Sequence, residues 1–84
     1  MVWSYQTPVG TFLIVHKNGR WVAMLNDENL GNAPEAWQAA YRLANDEFVK
    51  PVDYRCGELV NPSDLGIPED IREWTCMTNT VAAD

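Results

Sequence analysis

The sequence predicts an α+β domain: a three-stranded antiparallel meander packed by one main α-helix, with a short C-terminal helix or irregular segment over the other face. Three observations predict it. Residues 2–26 fall into three runs rich in β-branched and aromatic residues, parted by Pro8-Val9-Gly10 and Asn18-Gly19. From Pro34 to Phe48 apolar residues recur at helical spacing. After Pro51 the chain is broken repeatedly by Gly57, Pro62, Gly66 and Pro68, the punctuation of loops and short pieces.

The first run, VWSYQT over 2–7, alternates Trp3 and Tyr5 with smaller or polar residues and reads as a strand at the edge of the sheet. TFLIVHK over 11–17 is the second strand and RWVAMLN over 20–26 the third. Asn18-Gly19 joins them, and both residues tolerate the positive φ that a type I′ hairpin turn requires. A two-residue turn also fixes the register. Lys17 faces Arg20, His16 faces Trp21, Val15 faces Val22, Ile14 faces Ala23, Leu13 faces Met24 and Phe12 faces Leu25.

Side chains alternate between the two faces of a sheet. One face therefore carries Phe12, Ile14, His16, Trp21, Ala23 and Leu25, and the other Leu13, Val15, Lys17, Arg20, Val22 and Met24. Both faces are largely apolar, whereas an antiparallel sheet with one solvated side alternates apolar with polar. Each side therefore calls for a cover. The helix supplies one. Pro34 suits a first helical position and Glu35 the positive N-terminal end, with Asn32 a better cap than Ala33. The stripe Trp37, Ala40, Tyr41, Ala44 and Phe48 should lie on the aromatic sheet face, with Ala36, Ala39, Ala40 and Ala44 permitting close approach. Lys50-Pro51 should end the helix.

A short strand is expected within Tyr54–Leu59, and Pro68 should open a second, shorter helix with Glu69 and Asp70 in its first turn. Leu65, Ile67, Ile71 and Trp74 from this segment are the expected cover for the second sheet face. Residues 1–77 then form one domain and 78–84 a flexible tail.

The charge is uneven. The chain of 84 residues carries a formal charge of −6, and residues 56–84 hold Glu58, Asp64, Glu69, Asp70, Glu73 and Asp84 against Arg72 alone. Such a segment repels phosphate backbones and anionic lipid surfaces, and it would suit a basic partner. No apolar run approaches the ~20 residues of a membrane span. The start MVWSYQ has no basic region leading into an apolar run, so a cytoplasmic location with Cys56 and Cys76 reduced is expected.

The segments PVGTFLIV, GRWVAMLNDENLGN, PEAWQAA and SDLGIPEDIREW resemble, in that order, a family of small bacterial proteins of uncharacterised activity. The likeness runs over roughly residues 3–76. It implies a common structure and carries no activity, cofactor or site residue. Trp37, where the family has a small residue, and Ala33, where it has a Ser cap, depart from the pattern. The order of three strands and a helix is also similar to the DNA-binding domains of the integrase-arm type, which lay a basic sheet face in a groove. Here that face offers Lys17 and Arg20 beside Leu13, Val15, Val22 and Met24, the wrong chemistry for phosphates.

Catalytic and metal templates find no match. His16 could serve as a base with Ser4 or a Cys as nucleophile, yet stacking on Trp21 across the hairpin accounts for it better. Two Cys and a distant His make no ligand spacing, and Glu69, Asp70 and Glu73 lack the pattern of a calcium loop. Gly10, Gly19 and Gly31 read as turn glycines. The expectation is a non-catalytic protein-interaction or regulatory module with no cofactor or metal. Its contact surface would be Leu13, Val15, Val22 and Met24 on the sheet and Glu69, Asp70 and Glu73 in the acidic segment. Its partner would be a protein, a basic one matching the acidic segment, or a second copy in a homodimer. An acidic nucleic-acid mimic of the phage type, inhibiting a nucleic-acid-binding protein, is the alternative, and a sheet-face DNA binder a further one.

Overall fold

The computed structural model describes residues 2–77. Five strands form one antiparallel sheet: β1 (Val2–Thr7), β2 (Gly10–Lys17), β3 (Arg20–Leu25), β4 (Glu28–Ala33) and, as β7, Thr75–Met77. The order across the sheet is β4-β3-β2-β1-β7. The helix α1 (Ala36–Ala44) follows β4, and a small hairpin of β5 (Val52–Asp53) and β6 (Glu58–Leu59) stands apart from the sheet. Single 3-10 turns occupy Pro62–Leu65 and Ile71–Glu73. The class is α+β, as expected, with two strands more than the meander.

All six cross-strand pairs written from the Asn18-Gly19 turn are present, from Phe12↔Leu25 to Lys17↔Arg20. Asn18 and Gly19 both have positive φ, as the turn type requires. The first added strand comes from a second turn of the same kind. Asn26 and Asp27 sit at φ 52 and 67, side chains that tolerate the left-handed region, and they fold β4 back onto β3. A register shift between Ala23 and Met24 lets Leu30 enter the core, where it is buried. Gly31 belongs to this strand and is not a turn glycine. A Cβ at this residue would lie 2.6 Å from the Phe48 ring, and its φ is 152, so only glycine fits.

The second added strand, β7, pairs with β1 through Val2↔Met77, Trp3↔Cys76 and Ser4↔Thr75. β1 is therefore interior, not the edge strand expected, and the sheet edges are β4 and β7.

The helix is shorter than Pro34–Phe48 and is rotated. Its cap is Glu35, not Asn32 or Ala33; Ala33 ends β4, buried in the core beside its cross-strand partner Trp21. It stops well before Lys50-Pro51. Asp46 takes φ 60, Asp46 N–H donates to the Leu43 carbonyl, and Glu47 N–H donates to the Arg42 carbonyl. That is a Schellman ending with Asp at the left-handed position. The buried stripe is Ala39, Ala40, Leu43 and Ala44, while Trp37 and Tyr41, expected inside, are 56% and 48% exposed. Small residues at 39, 40 and 44 bring the helix close to the sheet, so bulky side chains do not fit between them.

The core contains Phe12, Ile14, Ala23, Leu25, Leu30, Ala33 and the helix stripe, joined by Ile67 and Trp74, with Leu65 and Ile71 packed against it. Trp74 lies 5.8 Å from Tyr5, ring to ring, and its Nε1 donates to the Pro68 carbonyl. The C-terminal segment thus packs on the helix side of the sheet. The expectation that Ile67, Ile71 and Trp74 cover the second face is overturned: their side chains extend the first core. Pro68 opens no α-helix, only the 3-10 turn at Ile71–Glu73, and the short strand expected within Tyr54–Leu59 is the two residues of β6, reached through a turn from β5. The expected tail, 78–84, lies outside the described residues.

Candidate interaction face

Among the described residues, the helix, the 3-10 turns and residues 65–74 all lie on one side, and the opposite sheet face is built from the alternate residues. Two rows cross it. Asn32, Val22, Val15, Val2 and Met77 form one, and Asn29, Met24, Leu13, Ser4 and Thr75 the other. Leu13, Val15, Val22 and Met24, the four sheet residues singled out from sequence, stand together at its centre. None belongs to the core cluster beneath the helix. Val22, flanked by Val15 and Asn32, is buried by its neighbours; Leu13, Val15 and Met24 keep part of their surface open, and Met77 is 44% exposed. The β5–β6 hairpin offers no cover, since residues 54–59 are all exposed themselves.

The two ends of this face differ in charge. Lys17 and Arg20, both exposed, occupy the end at the Asn18-Gly19 turn, where Arg20 Nε donates to Asn32 Oδ1 at 2.8 Å. At the far end an open groove of about 510 Å³ is lined by Ser4, Tyr5, Gln6, Thr11, Glu73, Thr75 and Met77.

The three acids named from sequence are not brought together on this face. Glu69 accepts a hydrogen bond from Asn45 Nδ2 at 2.8 Å, at the end of the helix. Asp70 accepts from the Arg72 backbone N–H and guanidinium, with Nη2 at 2.7 Å, and these bonds hold its carboxyl below the usual range. Only Glu73 adjoins the sheet face.

His16 stacks on Trp21 at 4.7 Å between ring centroids. Ser4 points to the opposite side of the sheet, so the two do not meet. Cys56 and Cys76 are free and exposed. Among the described residues, no three His, Cys, Asp or Glu side chains are grouped as metal ligands, and no helix is long and apolar enough to cross a membrane.

Sequence reasoning missed a second surface. Trp37 and Tyr41, one turn apart on α1, form an exposed aromatic pair on the helix exterior. Their signal was the alternative phase, in which Ala36, Ala39, Ala40 and Leu43 make the inner stripe. Comparison with protein-family models, with curated proteins and with solved structures finds no match.

Proposed function

We propose that the chain is a non-catalytic protein-interaction or regulatory module whose contact surface is the helix-free face of the sheet. The observation that carries this reading is one-sided packing among the described residues: a five-stranded sheet with its helix and residues 65–74 on one side, and Leu13, Val15, Val22 and Met24 on the other. Partly exposed apolar side chains grouped at the centre of a sheet and bounded by charge are characteristic of protein contact surfaces. The acidic mimic is less well supported, because Asp70 is neutralised by Arg72 and Glu69 is engaged by Asn45. DNA binding would need more than Lys17 and Arg20 on this face.

A photo-cross-linking residue placed at Met24 tests the reading in the source cell. A discrete cross-linked band from Met24, absent when the same residue replaces Tyr54 on the exposed hairpin, is the expected result. Equal yields from the two positions would contradict it.

A further inference from the structure

Charge on the open face is self-complementary. Lys17 and Arg20 stand at one end and Glu73 at the other, with the two apolar rows between them. The ends lie about 20 Å apart along the strand direction, six residues at ~3.3 Å. A two-fold axis lying in the interface and perpendicular to the strands reverses strand direction between copies. It lays one apolar row of each copy over the other row of its mate and the basic end over the acidic end. It leaves every strand at its own place across the sheet, so Lys17 on β2 stands two strands, about 10 Å, to the side of the mate's Glu73, which precedes β7, and Arg20 on β3 stands three strands away.

We propose that this face is occupied by a second copy of the chain, packed sheet to sheet about such an axis, with Lys17 of each copy reaching diagonally toward Glu73 of the other. This rests on the reading of the face as a contact surface and adds its occupant. Strands about 4.8 Å apart and about 20 Å long make a five-stranded face of roughly 450 Å² in plan. Two corrugated faces together bury at least about twice that, near the ~1,000 Å² at which a specific interface begins. The dimer is accordingly a weak one. The net charge of −6 opposes association at long range, and salt screens that repulsion beyond about 10 Å at 0.1 M. Aligned sheets pack about 10 Å apart, which with the lateral offset sets the Lys17 and Glu73 backbones about 14 Å apart, a span that the two extended side chains bridge.

Sedimentation equilibrium on the full chain over a concentration series tests the proposal. Wild type should pass from monomer to dimer. Lys17→Glu and Glu73→Lys, both on exposed side chains, should each weaken the dimer about tenfold, since every end-to-end pair occurs twice in a two-fold assembly. The double variant should return to within about threefold of wild type, because the reversed charges still meet across the axis. Recovery cannot arise within one chain, where the two residues stand at opposite ends. A wild type that stays monomeric up to about 1 mM overturns the proposal, as does a dimer indifferent to both reversals or not restored by the pair. The Met24 cross-link separates this from the broader reading. A band with another protein and a monomeric purified chain would remove self-pairing and keep the contact surface; a monomer with no Met24 band would remove both.

Discussion

At the scale of single residues, Asp53 shows how a carboxylate is held in a small hairpin. It is nearly buried, and its oxygens accept from the Arg55 backbone N–H, Nε and Nη2 at 3.0, 3.0 and 2.9 Å. Its backbone carbonyl also accepts from Cys56 and Gly57, closing the β5–β6 turn. The hydrogen bonds from Arg55 pull its pKa down to about 2. A folded-state value below the unfolded one means the contribution is complete above about 4 and is lost as pH falls toward 2. An NMR titration should find the Asp53 carboxyl titrating near 2, and Arg55→Ala should move it up toward the ordinary aspartate range. A carboxyl unmoved by that substitution would show that Arg55 is not its partner. Asp46 is held in a similar way. Its carboxylate accepts from the Ser63 hydroxyl at 2.6 Å and backbone N–H at 3.0 Å, which ties the helix end to the first 3-10 turn and lowers its pKa.

At the scale of elements, the phase of α1 decides which side chains carry stability. Leu43 is fully buried, whereas Trp37 is the more exposed by far. Leu43→Ala should cost about 2–5 kcal/mol in chemical denaturation, and Trp37→Ala and Tyr41→Ala each less than about 1 kcal/mol. The reverse order would restore the stripe expected from sequence. That stripe was misread because Trp and Tyr weigh heavily in an apolar count, while the space above the sheet admits only Ala39, Ala40, Ala44 and a single Leu. The β2–β3 hairpin was legible in full, since Asn18-Gly19 sets its register locally and alternation does the rest. β4 was not, although Asn26-Asp27 makes the same kind of turn: the shift at Leu30 breaks the alternation by which a strand is read. β7 has three exposed residues and pairs with β1 from the other end of the chain, a contact without local signature. The candidate face followed from the register and was legible. Its openness was not, because the apolar residues at 65, 67, 71 and 74 suit either side of a sheet and only tertiary packing assigns them.

At the scale of the whole molecule, the described residues place one layer of helix and turns against one face of the sheet and none against the other, an arrangement that a domain completes with another surface. The grouping of Val22 with Leu13, Val15 and Met24 at the centre, and of opposite charges at the two ends, gives that missing layer a defined chemistry. Hydroxyl-radical footprinting of the purified chain over a concentration series, read at Met24 against buried Phe12 and Trp74, tests the open face most directly. Met24 should be modified readily in dilute solution and become protected as concentration rises, while Phe12 and Trp74 stay protected throughout. Protection of Met24 equal to that of Trp74 at every concentration would mean the face is covered within the single chain, and would contradict the account.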